Sequence, residues 1–567
     1  MNSNFSALPK DATGILDWEW ARFEPFYQEL ASRSLTKQNV AQFLSDWTRL
    51  KELLDEMFSR LNVAKDSNTA DGEAERRYNR YLDEIYPKLM PEEQRLKRKL
   101  VESGLRPEGF ELPLRRIETE TALFREANIP LIVEVNKLCT AYSKIVGAQT
   151  VQWEGKELTI AQLRPVLEEP DRDKRERAWR LALERQLADR AAINGLWQKL
   201  LKLRLKIAAN AGFPDYRSYR WLDLARFDYT PDNCFEFHRS IEQVVVPFAA
   251  ELLERRRKRL GVERLRPWDT AVDPWGRPRL RPFEDVAQLI NGTRTILEQV
   301  DSRVGRSFGL MADERRLDLD NRKNKAPGGY CTSFPAIKRP FIFMNAVGLH
   351  QDVMTLIHES GHALHDLEAS RLPYLQQRQI NLEFAEVASM GMELLTMPFW
   401  TKEQGGFYTE AEAQRAQEEH LEGLVLFWPY MSVVDLFQHW VYDHPVEAQN
   451  PDRCDEEWAK LWQRFMPVVD YRGFEDALVT GWHRKLHIHL EPFYYVEYGL
   501  AQLGACQVWR NALQDRARAV AAFLAALGLG GTRSLPELYG AAGARFAFDR
   551  DTLDQIISLI RERLGMD

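Results

Sequence analysis

What this sequence lacks narrows its function before any motif is read. Its five cysteines (Cys139, Cys234, Cys331, Cys454 and Cys506) are spread through 567 residues without one Cys-x-x-Cys pair. Neither a disulfide framework nor a cysteine-ligated zinc site can be built from that spacing. A basic surplus is missing too: 77 Lys and Arg face 84 Asp and Glu, for a net charge of −7. That argues against a general nucleic-acid binder. The longest apolar run, Ala519 to Leu529, is about half of what a membrane span needs. The opening MNSNFSALPKDATGILDWEW has no basic start followed by an apolar stretch. Internal repeats and low-complexity tracts are likewise absent. What remains, 44% hydrophobic and 28% charged residues, is the composition of a folded globular chain. The expectation is a soluble cytoplasmic protein, with neither nucleic acid nor membrane as partner.

Apolar residues recur at helical spacing from Ile15 to about Leu105, and a long charged helix is expected from Asp171 to a stop at Gly212 and Pro214. Between them, AQTVQWEGKELTIAQL alternates around Glu154-Gly155 and reads as a hairpin near 146–160. The stretch from Arg264 to Pro282 is proline-rich loop. Two short strands are expected at Tyr330 to Phe334 and Pro340 to Met344, after Gly328-Gly329. Helical patterns then run from about Gln351 to the C-terminus, interrupted near GLGGTRSLPELYG. The fold class is therefore mainly α with a small β-sheet. A boundary near residue 200 would give an N-terminal helical lobe, 1–200, and a second lobe, 201–567.

The chemistry concentrates in LIHESGHALHDLE, where His358-Glu359-Ser360-Gly361-His362 forms an H-E-x-x-H pattern on a helix. Residues i and i+4 lie about 40° apart around the axis and about 6 Å apart along it, so both imidazoles can converge on one ion. Glu359 borders the same face, as suits a general base acting on activated water. A catalytic zinc site needs a third protein ligand. His365 lies about 10.5 Å from His358 along the axis, too far to share an ion. Glu368 lacks the preceding glycine that a chain-turning motif requires. Glu386, on the new helical segment NLEFAEVASMGMELL, is the best candidate, and Glu383 its neighbour is expected to be a solvated first-turn residue.

HESGHALH followed 24 residues later by the glutamate of EFAEVAS resembles the oligoendopeptidase F branch of the thimet oligopeptidase family of zinc peptidases. The likeness extends to GGYCTSF, PFIFMN, HIHLEPFYYVEYGLAQLGACQVW and GLGGTRSLPEL. It implies a two-lobed helical body around a deep substrate channel, one Zn²⁺ per chain on His358, His362 and Glu386, and Glu359 as the base. It also implies oxyanion donors: His487, with His489 as rival, and Tyr495 and Tyr498, with Tyr494 less favoured. Gly328, Gly329 and Tyr330 resemble the family's substrate-binding edge strand. Glu393, one stripe along from Glu386, is a candidate to hydrogen-bond a ligand histidine.

The activity so implied is zinc-dependent hydrolysis of internal bonds in short, unstructured peptides. Two rivals stand beside it: a carboxypeptidase or dipeptidyl carboxypeptidase, which needs a cation for the peptide's C-terminal carboxylate, and a non-catalytic peptide-binding protein of the same fold. Side-chain preference and oligomeric state are not legible in the sequence.

Overall fold

Helix dominates the chain because its apolar residues recur every three or four positions. The computed structural model describes residues 5–322, 325–326 and 328–566. In the Val40–Ser67 helix, Phe43, Leu44, Trp47, Leu50, Leu54, Met57 and Leu61 form one buried stripe. They join Phe23, Tyr27, Leu30, Leu96 and Leu100 in a single apolar core. The charged segment expected as one helix is two, Arg172–Ala188 and Arg190–Ala211, broken at Asp189. Asp189 is held by Arg185 and Gln149 rather than by helical continuity. Gly212 ends the second helix in the left-handed region, φ 88°, where glycine carries no Cβ penalty.

The chain divides into two units, each assembled from three stretches. The first comprises Met1–Glu126, Arg281–Gln417 and Ala501–Phe546, and the second Ala127–Leu280, Glu418–Leu500 and Ala547–Asp567. Residue 200 thus falls inside a helix of the second unit. Among the described residues no helix is long and apolar enough to cross a membrane.

The second unit holds the hairpin of β1 (Thr150–Trp153) and β2 (Lys156–Thr159), turned through Glu154 and Gly155, both at positive φ. The first unit holds a three-stranded sheet of β3 (Leu317–Asp320), β4 (Tyr330–Phe334) and β5 (Arg339–Ala346) in the order β3-β5-β4. β4 pairs antiparallel and β3 parallel to β5, leaving β4 at an edge. From β5 the chain passes almost at once into the His350–Ala369 helix. Asp352 secures that turn by accepting from the N–H groups of Val347 and Leu349 at 2.8 and 2.9 Å. The sheet is therefore tied directly to the helix that carries H-E-x-x-H.

Candidate active site

Two helices of the first unit, His350–Ala369 and Leu382–Thr396, pack against each other at the H-E-x-x-H motif. Gly361 allows the approach: a Cβ there would lie 2.6 Å from both the Ala388 carbonyl oxygen and the Ser389 Cα. This closeness carries Glu386 to the two histidines. Its Oε2 lies 3.4 Å from His358 Nε2 and 3.5 Å from His362 Nε2. Four-coordinate zinc with bonds of about 2.0–2.1 Å has ligand atoms about 3.3–3.4 Å apart by tetrahedral geometry. Both distances from Glu386 match that figure, and the three ligand atoms lie within 4.8 Å of one another, so the residues fit the ion their types call for.

Neighbouring groups hold the donors in place. Glu393 Oε1 accepts from His358 Nδ1 at 2.6 Å, and a carboxylate can only accept. The Nδ1 hydrogen is thereby fixed, and Nε2 is the ring nitrogen that faces Glu386. Ser389 Oγ donates to Glu386 Oε2 at 2.9 Å. Burial alone would lower the His358 imidazole, but Glu386 and Glu393 outweigh it and hold it well above the ordinary value. Glu359 is buried, which pushes its carboxyl up, while His358 and His362 pull the other way. The backbone N–H of Cys331, on edge strand β4, also serves that carboxylate.

The other acidic and histidine candidates of this segment lie elsewhere. His365 is buried against Phe384 and brought down to about 3 by loss of hydration. Glu368 pairs with Arg371. Glu383 is 3% exposed, so the solvated surface position expected for it is corrected. Its helix turns that face inward, and spacing alone does not distinguish an inward from an outward first turn. Gly328 adopts φ 98°, and Asn345 donates to its carbonyl. The Tyr330 ring stacks on Phe343 at 4.9 Å and its hydroxyl donates to Asp66 at 3.1 Å.

In the second unit, the segment around Pro492 separates the two rival histidines. His489 is fully buried between Tyr142 and Trp482, and desolvation pulls it down to about 3. His487 is half-buried among Tyr494, Tyr495 and Tyr498, with Tyr498 Oη 3.5 Å from its Nε2. Tyr494 and Tyr498 are half-exposed, whereas Tyr495 is 4% exposed and its hydroxyl meets Lys485 at 2.7 Å. Sequence reasoning missed Lys485, because a single lysine between arginine and leucine carries no motif.

A second group with ligand-type side chains also went unread: Cys234, Asp435 and His439, all buried in the second unit. Cys234 and His238 stand four apart on the Pro231–Leu260 helix, and Asp435 and His439 four apart on the Glu410–Asp443 helix. Here the hydrogen bonding differs. Arg217 Nη1 approaches His439 Nδ1 at 3.3 Å, and an arginine can only donate. His439 Nε2 lies 3.3 Å from Asp435 Oδ2. His238 Nε2 reaches the same oxygen at 2.8 Å. The outer nitrogen of His439 thus faces a cation, where that of His358 faces a carboxylate.

Comparison with known proteins follows the same lines. The model of peptidase family M3 matches residues 166–557. An oligoendopeptidase F homolog of Mycoplasma pneumoniae is 26% identical over 263 residues, 44% of this chain and 41% of that protein. The matched stretch thus spans less than half the length of that relative. The structure of PZ peptidase A with an inhibitor superposes with a TM-score of 0.90 at 28% identity, over 100% of this chain and 99% of the other. The oligoendopeptidase-F of Enterococcus faecium, at 15% identity and a TM-score of 0.61 over 96% of each chain, shares the fold. The chain belongs to peptidase family M3, in its oligoendopeptidase F branch.

Proposed function

We propose that this chain is a zinc-dependent oligoendopeptidase of the cytoplasm, hydrolysing internal bonds of short, unstructured peptides. The observation that carries the reading is the convergence of His358 Nε2 and His362 Nε2 on Glu386 Oε2, at 3.4 and 3.5 Å, with Glu359 beside them. One Zn²⁺ per chain, held by those three residues, would supply Lewis-acid activation of a water and of the scissile carbonyl. Glu359 takes the proton of that water and returns it to the leaving amine. A buried carboxyl with raised proton affinity suits a group that must hold a proton between two steps. Glu393 keeps the His358 ring in the tautomer and orientation that ligation needs.

His487 and Tyr498 donate hydrogen bonds to the oxyanion in this reading, with Tyr495 as the third member of the set. A phenol near pKa 10 remains a donor at neutral pH, and losing one such donor costs about 10²–10³ in rate. The edge strand at Gly328, Gly329 and Tyr330 is proposed to pair with the peptide backbone, which tolerates many sequences.

The test is metal content by mass spectrometry, run beside hydrolysis of an internally quenched peptide of about ten residues. About one zinc per chain, with turnover lost to a chelator and restored by zinc, is the expected result. Bound zinc without turnover of any peptide would favour the non-catalytic binding reading.

A further inference from the structure

Lys485 stands out among the cations of the second unit. Its Nζ lies 2.7 Å from Tyr495 Oη, 3.9 Å from the centre of the Tyr495 ring and 5.5 Å from that of Tyr430. Among the described residues no carboxylate pairs with it, in a chain carrying 84 Asp and Glu. Desolvation by the surrounding rings pulls its ammonium down to about 7. Its neighbour Arg484 is engaged elsewhere, donating to the Ala477 carbonyl and to Thr480 Oγ1. A half-buried lysine costs stability when it lacks an anion, so an unpaired one among tyrosines calls for a partner supplied from outside.

The donor count says what that partner is. An ammonium has three N–H donors, and Tyr495 Oη accepts one of them. With its oxygen accepting from Lys485, the Tyr495 O–H hydrogen is directed away from the lysine. One ammonium N–H and one phenol O–H, on heavy atoms 2.7 Å apart, can then meet the two oxygens of a single carboxylate. The pair adjoins the proposed oxyanion donors: Lys485 precedes His487 by two residues, and the rings of His487 and Tyr495 lie 5.1 Å apart.

We propose that Lys485 and Tyr495 form a carboxylate-binding pair that recognises an acidic group of the peptide substrate. The inference rests on the peptidase reading above and deepens it, because it makes the distance from a carboxylate to the cut bond a determinant of specificity. It also gives Tyr495, grouped above with the proposed oxyanion donors, a role in substrate recognition beside Lys485 instead, and leaves the proposed oxyanion role to His487 and Tyr498. The carboxylate can come from the peptide's C-terminus or from an Asp or Glu side chain.

Two quenched peptides and one series of a common core sequence separate these sources: a free C-terminal acid, its C-terminal amide, and a set of amides with one internal Asp walked along the positions after the cut. The readout is the ratio of kcat/KM for the acid, or the Asp peptide, over the plain amide. Charge-assisted hydrogen bonds to a carboxylate predict a ratio of about 10 to 100 in the parent, and a ratio near one in Lys485→Met. A high ratio for the free acid assigns the C-terminus, and one for a single Asp position assigns a side-chain pocket. A parent ratio near one for every peptide overturns the pair, as does a preference that persists in Lys485→Met. The parent ratio decides the matter even where the variant does not fold. If none of the peptides is cleaved by the zinc-loaded protein, the peptidase reading falls and takes this inference with it.

Discussion

Two clusters in this chain carry the same kinds of side chain on the same kind of scaffold, yet the partners at the outer face of their histidines differ in charge. His358, His362 and Glu386 lie across two packed helices, and so do Cys234, Asp435 and His439. In the first, a carboxylate holds the outer nitrogen of His358, and the inner one faces Glu386. In the second, an arginine lies at the outer nitrogen of His439, and the inner one lies 3.3 Å from Asp435. Residue type and i,i+4 spacing therefore do not make a metal site. The partner on the far side of the ring does, because it chooses the tautomer.

The sharpest way to separate the chemistry of the first cluster from its architecture is Glu359→Gln. Turnover should fall about 10²–10⁴-fold while zinc content stays at that of the parent, measured by peptide hydrolysis beside metal analysis. Next comes the outer partner itself. Glu393→Gln keeps the shape but weakens the hold on Nδ1, and zinc affinity measured against a competing chelator should drop about 10–100-fold. The second cluster should answer in stability. Asp435→Ala leaves His238 without its acceptor and removes the carboxylate beside His439, so denaturant unfolding should show a loss of about 3 kcal/mol with metal content unchanged.

Acid should separate the clusters further. Burial alone would raise the Asp435 carboxyl, but His439 and His238 outweigh it and hold it well below the usual carboxylate range. A depressed folded-state value contributes stability above the unfolded value of about 4, and that contribution is lost as pH falls below it. Thermal unfolding between pH 6 and 3 should therefore decline more steeply in the parent than in Asp435→Asn. The smallest expected effect concerns the packing that brings Glu386 in. Gly361→Ala forces the two helices apart against backbone atoms, at a cost of about 1–3 kcal/mol, and should weaken zinc binding in parallel.

How far the sequence leads follows from the same physics. His358, Glu359 and His362 could be grouped from the sequence because helix periodicity fixes which residues share a face. Glu386, on another helix, was singled out by resemblance to the peptidase pattern, and Glu393 by the stripe it shares with Glu386. His487 and His489 were not separable, since the five-residue helix Leu486–Leu490 is too short for periodicity and packing decides which ring goes inward. Glu383 was read as solvated because a first-turn glutamate satisfies the helix dipole whether or not a neighbour covers it. Strand β3 escaped notice because four residues, Leu317–Asp320, alternate too briefly to stand out. The two units each draw on three separated stretches, so no shift in composition marks their limits. Lys485 and Arg217 gain their meaning from partners distant in the chain or across a turn, which a linear reading does not reveal.

The measurement that tests the central claim most directly is zinc stoichiometry of three proteins after dialysis against a slight excess of the metal: the parent, Glu386→Gln and Asp435→Asn. The account predicts one zinc per chain in the parent and in Asp435→Asn, and a sharp loss in Glu386→Gln. Zinc retained at full affinity in Glu386→Gln, or lost in Asp435→Asn, would contradict it.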